Sequence, residues 1–112
     1  MLIRSQNKEV LVAFENLLNI EVSGGVISTR VDNGWSCLLG EYSAKAKAMK
    51  VLDMVQEAYA EYKITCTFLT GFTGHRAIVE SNDIYVNGFK ELAEGFKKNM
   101  VFQMPEDSEV EV

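Results

Sequence analysis

The chain has 112 residues, 47% of them hydrophobic, with a formal net charge of −5, one histidine and two cysteines. That length supports one domain with a single core, and no apolar run reaches the ~20 residues of a membrane span. MLIRSQNKEV at the N-terminus lacks the apolar stretch of a signal peptide, so a cytoplasmic protein is expected. The acidic balance argues against non-specific nucleic-acid binding, which needs a basic stripe, while leaving room for a DNA mimic or a local basic pocket.

Residues 1–39 read as a β-meander of LIRS, VLVAF, LLNIEV, VISTRV and WSCLL, each about as long as a typical strand. Gln6-Asn7-Lys8 suits the first turn, Ser23-Gly24-Gly25 a tight hairpin, and Asn33-Gly34 a type I′ hairpin. Alternation within VISTRV is partial, so the strand is predicted without its buried face. Hairpins of these lengths imply antiparallel pairing.

Gly40 to Tyr62 carries the clearest helical period. Ala44, Ala48, Val51, Leu52, Val55, Ala58, Tyr59 and Tyr62 fall on one stripe, with Lys45, Lys47, Lys50, Asp53, Gln56, Glu57 and Glu61 mostly off it. Ser43 is placed to cap the first turn, and the small Ala44 and Ala48 suit close approach to a sheet. Beyond the helix, Ile64 to Thr70 (ITCTFLT) has the β-branched and aromatic composition of a strand. It leads into the loop Gly71-Phe72-Thr73-Gly74-His75-Arg76, a short strand AIVE, and a further extended piece at Asp83 to Val86.

Phe89, Leu92, Ala93, Phe96 and Met100 then keep helical spacing, predicting a second helix weakened by ~1 kcal/mol at Gly95. VFQM reads as a last strand stopped by Pro105, the only proline, and residues 106–112 as an acidic, frayed tail. The expected fold is therefore α+β: residues 1–105 form one domain in which an antiparallel meander of five or more strands packs against a long amphipathic helix. A second helix lies near the C-terminus.

LIRSQ at the start, LGEYS opening a helix that continues to KVLDM, and VFQMPEDSEV at the end resemble short proteins carried by phages, prophages and mobile elements of Gram-positive bacteria. Residues 63–100 lie outside the likeness and have room for a functional insert. The quoted motifs look like core and turn positions, so what they imply is a genomic setting in which small proteins counter bacterial immunity. The architecture is also similar, more distantly, to phage sponges that sequester cyclic ADP-ribose-type signals of the Thoeris defence system. That second resemblance implies sequestration of an anionic nucleotide and assigns no residue.

Two residue sets have site chemistry. In GFTGHR the glycines free the backbone, Phe72 offers a stacking face, Thr73 and His75 offer hydrogen bonds, and Arg76 offers a bidentate anion contact. Neither phosphate-loop fingerprint is present, and the plainer reading of the segment is an ordinary hairpin loop with an exposed His-Arg pair. Arg4, Arg30 and Trp35 form the second set, if the hairpins bring them into one sheet where an aromatic ring beside arginines sandwiches a base or phosphate; the plainer reading makes Trp35 a core or rim residue. Cys66 with His75 lacks a third orienting group for thiol catalysis, and both cysteines read as small buried hydrophobes. Carboxylates of the tail lack calcium-loop spacing, and their sharper reading is an acidic lure for a basic partner.

The expected function is that of a non-enzymatic, phage-type anti-defence protein of the host cytoplasm that sequesters a small anionic nucleotide-like ligand. No metal, cofactor, membrane or nucleic acid is expected to take part. The alternative is a protein–protein inhibitor that blocks a host effector through an acidic or β-edge surface. A homo-oligomer is expected, because short sheets leave edges that symmetric pairing covers.

Overall fold

The computed structural model describes residues 1–31, 34–79 and 100–111, with the side chains of residues 68–79 outside the description. In chain order it contains β1 (Leu2–Arg4), β2 (Leu11–Ala13), a 3-10 turn (Phe14–Asn16), β3 (Leu17–Ser23), β4 (Val26–Val31), β5 (Ser36–Glu41), α1 (Lys45–Val79), β6 (Val101–Gln103) and a second 3-10 turn (Asp107–Glu109). The fold is α+β. All five N-terminal strands expected from the sequence are present, as is the short strand at VFQ.

Their assembly differs from a single meander. The strands form two three-stranded sheets, ordered β2-β1-β6 and β3-β4-β5. The first is mixed, because β6 runs parallel to β1 with Ile3 opposite Phe102, while β2 pairs antiparallel with Ile3 opposite Val12. Ile3 is fully buried between those neighbours. A meander reading assumes that strands pair with their chain neighbours, whereas β1 takes one partner from the far end of the chain.

The second sheet is antiparallel throughout. Its inner face carries the rows Ile20–Thr29–Cys37 and Val22–Ile27–Gly40, and its outer face Asn19–Arg30–Ser36 and Glu21–Ser28–Leu38. Ile27 and Thr29 are buried and Arg30 is exposed, which gives the alternation of a sheet covered on one side. A bulge at Leu18 breaks the ladder beside Asn19, and the buried Thr29 hydroxyl donates to the Asn19 carbonyl at 2.5 Å.

α1 lies over the inner face, contacting β3 and β4. Ala48, Val51 and Val55 are buried and Leu52, Ala58, Tyr59 and Tyr62 are half-buried, as the stripe predicts; Ala44 is exposed. The helix begins one turn position later than expected, with the Ala44 carbonyl accepting from the N–H groups of Lys47 and Ala48. It then continues to Val79, so Ile64 to Thr70 is helical backbone and not a strand. The reason lies in the spacing: Thr65 and Cys66 extend the stripe from Tyr62, and a growing helix adds one hydrogen bond per residue, which outweighs the strand propensity of isolated Ile and Thr residues. The extended piece at Asp83–Val86 and the second helix from Phe89 lie outside the described residues.

The acidic end is packed instead of frayed. Met104 and Val110 are buried, Glu106 and Glu109 close a capping box around the second 3-10 turn, and the Asp107 carboxylate accepts the Ser43 N–H at 2.8 Å. Lys47 Nζ donates to the Asp107 carbonyl at 3.1 Å and Lys50 Nζ to that of Glu111. Composition alone marks this run for solvent; two lysines on successive turns of α1 and one apolar residue, Val110, anchor it.

Candidate functional site

A groove opens between α1 and the β3 side of the second sheet. Leu52, Val55, Gln56 and Tyr59, spaced at i, i+3, i+4 and i+7, supply the helical wall; Phe14 and Ile20 supply the other. Its volume is about 320 Å³, at the small end of ligand pockets. Phe14 is set by the 3-10 turn that ends β2, where its N–H donates to the Met1 carbonyl at 2.8 Å. Its ring stacks on Tyr59 with centroids 4.1 Å apart and planes 23° apart, and Tyr59 in turn tilts against Tyr62 at 6.1 Å. Gln56 and the Tyr59 hydroxyl are the uncharged hydrogen-bonding groups among the lining side chains.

Charge stands beside this apolar floor. The Lys63 ammonium lies 6.0 Å from the Tyr59 ring centre, at the outer limit of a cation–π contact. Glu15, next to Phe14, bonds the N-terminal ammonium at 2.5 Å. Burial works to raise the Glu15 pKa, but the ammonium hydrogen bond, its own backbone N–H and the charges of the ammonium and Lys63 together hold it below its ordinary value. One turn along α1, the Tyr62 phenol is held above its usual pKa by its hydrogen bond with Cys66 and by partial burial. Aromatic faces, an amide and a lysine around one groove suit a flat ring with an anionic substituent.

The sequence-predicted residues do not converge there. Arg4 is exposed on β1, its Nε donating to the Lys8 carbonyl at 3.0 Å across its own turn. Arg30 sits on the outer face of the second sheet, between Asn19 and Ser36, and Trp35, 70% exposed, precedes β5. Arg4 and the Arg30–Trp35 pair therefore belong to different sheets, and the expectation of one shared sheet is corrected. Phe72, Thr73, His75 and Arg76 lie on the helical backbone of α1 and not on a loop; their side chains fall outside the described residues. Cys37 and Cys66 are free and half-buried. Among the described residues no three His, Cys, Asp or Glu side chains gather to hold a metal, and no helix is long and apolar enough to cross a membrane.

A second, smaller cleft of about 220 Å³, between Ser5–Asn7 and Leu38–Glu41, has its polar groups committed to structure. The buried Ser5 hydroxyl donates to Asn7 Oδ1 at 2.6 Å and accepts the Val10 N–H at 3.1 Å. Gln6 Nε2 donates to the carbonyls of Glu41 at 3.0 Å and Pro105 at 3.3 Å, while its Oε1 accepts the Glu41 N–H at 2.9 Å. Gln103 Nε2 donates to the Ser5 carbonyl at 2.9 Å. LIRSQ, LGEYS and VFQMP thus meet at one hydrogen-bonded junction, and each is there for structural reasons.

Sequence reasoning placed Leu52, Val55 and Tyr59 on the buried stripe but missed the groove itself, with Phe14, Ile20, Gln56 and Lys63. The available signal was positional: Leu52, Gln56, Tyr59 and Lys63 share one flank of the helix at steps of four, three and four. No protein-family model matches the chain, and no curated protein or solved structure with which it was compared matches either.

Proposed function

We propose that the protein acts by binding, as a non-enzymatic phage-type anti-defence protein that withholds a small nucleotide-like anion, and that the ligand sits in the groove of Phe14, Ile20, Leu52, Val55, Gln56 and Tyr59. The observation that carries this reading is the pairing of an aromatic floor, Phe14 stacked on Tyr59, with Lys63 standing 6.0 Å from the same ring. A base or other flat ring gains apolar burial on the floor, Gln56 supplies orientation, and Lys63 offsets a phosphate. The host-immunity setting comes from the motif likeness.

The test incubates pure protein with extracts of cells whose nucleotide-signalling defences are active, washes and heats it, and examines the supernatant by mass spectrometry. A released anionic, ultraviolet-absorbing molecule that is lost with Lys63→Glu supports the reading. An empty supernatant, with a host protein retained on the column, overturns it in favour of a protein–protein inhibitor. That second reading draws on Leu18, Met49 and Ile64, exposed by 62%, 41% and 71%, which are apolar groups of the sort a protein partner covers.

A further inference from the structure

The two edges of the second sheet are finished differently. Along β5, the Gln6 N–H donates to the Leu39 carbonyl at 2.8 Å, and the Gln6 side-chain amide exchanges a donor and an acceptor with the Glu41 backbone. The side chain stands where the peptide unit of another strand would lie, and so closes that edge to pairing. Along β3, no strand lies beyond Leu17–Ser23 among the described residues. This edge is seven residues long, contains neither proline nor lysine, carries one charge, Glu21, and exposes Leu18 by 62%. Its protection is limited to that one charge and the bulge at Leu18, which leaves Asn19–Ser23 in regular register, and it borders the groove, whose wall includes Ile20.

We propose that a second copy of this chain pairs with β3 antiparallel to it, about a two-fold axis at Ile20, and that the two grooves join across that axis into one composite site. Ile20 is the middle residue of Leu17–Ser23, so this register alone pairs the whole strand. It sets Leu18 against the partner's Val22 and Asn19 against the partner's Glu21. Apolar therefore meets apolar and an amide meets a carboxylate; within one strand the same two groups already bond, Asn19 Nδ2 to Glu21 Oε1 at 2.8 Å. Centring the axis one residue later would face Glu21 with the partner's Glu21, a like-charge pair. A two-fold axis normal to the sheet keeps both α1 helices on the same face, so two helices flank a six-stranded sheet and the groove beside each opens towards the other.

A pairing of seven strand residues a side is a small interface, of the class that associates weakly. The composite site rests on the groove being the ligand site, whereas the pairing does not. The pairing is therefore measured first on ligand-free protein, by sedimentation equilibrium of the whole chain up to roughly 100 µM. The wild type is expected at twice its 12.6 kDa monomer mass. Asn19→Glu, on an exposed side chain, sets carboxylates against each other twice in the dimer and should raise the dissociation constant about tenfold or more; within the monomer it loses the bond to Glu21 and faces Arg30, so a thermal melt of the variant accompanies the measurement. Adding Glu21→Lys to Asn19→Glu restores opposite charges and should restore the wild-type constant.

A wild type that stays monomeric over that range overturns the pairing, as does a dimer that none of these substitutions moves. If Asn19→Glu fails to fold, Asn19→Lys decides: it should keep or tighten the dimer, and loss of the dimer in a folded Asn19→Lys overturns the register. The extract experiment separates the two ideas. A monomer that still releases a small molecule sinks the pairing and the composite site but leaves the groove as ligand site, and a dimer that releases none sinks the groove as ligand site.

Discussion

The Tyr42 hydroxyl donates to the Pro105 carbonyl at 2.8 Å, joining the entry of α1 to the C-terminal segment 63 residues away. Burial raises the Tyr42 pKa to about 12, and the carboxylates of Glu106, Asp107 and Glu109 push in the same direction. A phenol whose pKa is higher in the folded state holds its proton more tightly there than in the unfolded chain. Its contribution to stability is therefore complete below the unfolded value near pH 10 and is lost as pH rises towards 12. Urea melts between pH 8 and pH 11.5 should show that alkaline loss, and Tyr42→Phe should flatten it. At pH 7 the same substitution should cost about 0.5–1.5 kcal/mol, since Gln6 still reaches the Pro105 carbonyl at 3.3 Å.

Val51 and Leu52 are neighbours on α1 with different surroundings: Val51 is fully buried, while Leu52 is half-buried and forms a wall of the groove. Val51→Ala removes two methyl groups from a sealed core and should cost about 2 kcal/mol. Truncating Leu52 widens an existing groove without sealing a new cavity. Its cost should fall below the ~2–5 kcal/mol of enclosed leucines, at about 1–2 kcal/mol. Paired urea melts check the order; a larger loss at Leu52 than at Val51 would mean that the groove is closed in solution.

The strand runs, the turn residues and the proximal half of α1 were legible because they depend on local chemistry: alternation, positive-φ turn residues and a 3.6-residue period. Gly24 and Gly34 do adopt positive φ, at 61° and 83°. What was not legible depends on distance along the chain. That β1 would pair with Val101–Gln103 has no local signature, and the Gln6 amide closes an edge whose other members are Glu41 and Pro105. ITCTFLT was misread because composition was weighed above continuity with the helix before it. The groove escaped notice for a similar reason: its helical wall is written in the period of α1, but Phe14 and Ile20 come from a different part of the chain.

Gly25 is fixed by its neighbour. The Tyr42 N–H donates to the Gly25 carbonyl at 2.7 Å, and a Cβ on Gly25 would lie 2.0 Å from the Tyr42 carbonyl oxygen. Both contacts are backbone, so no side chain can turn aside. Gly25→Ala should cost ~3 kcal/mol or prevent folding, whereas Gly24→Asn, at a turn position with open space and φ of 61°, should stay within about 1 kcal/mol of wild type. Thermal melts of the two variants check the contrast.

Lys8 has a φ of 68°, in the left-handed region that non-glycine residues enter at a cost of about 1–2 kcal/mol. Its side chain is exposed, and its hydrogen bonds use backbone atoms: its N–H donates to the Ser5 carbonyl at 2.9 Å and its carbonyl accepts Arg4 Nε at 3.0 Å. Lys8→Gly keeps both bonds and relieves the conformation, offset by the greater backbone entropy of glycine in the unfolded chain. A net gain of about 0.5–1 kcal/mol should appear as a higher urea midpoint with an unchanged slope.

The C-terminal segment is held by a carboxylate whose protonation can be followed. The Ser43 N–H holds the Asp107 pKa below its ordinary value; desolvation opposes it, and the Ser43 side chain and Lys47 add to the lowering. A depressed carboxylate contributes stability that is fully present above its unfolded pKa and lost as pH falls through its folded one. The segment should therefore stay docked from neutral pH down to about pH 4 and release below it, with Glu15, also depressed, loosening the N-terminus in the same window. Hydrogen exchange of the Ser43 and Val110 amides reports the docking directly. Asp107→Asn still offers an oxygen to Ser43 but no charge to Lys47, whose ammonium lies 3.6 Å from the carboxylate. It should exchange faster at pH 7 and lose most of its dependence on pH between 5 and 3. If Asp107→Asn retains the wild-type pH dependence, the segment is held by Val110 packing and the lysine–carbonyl bonds alone.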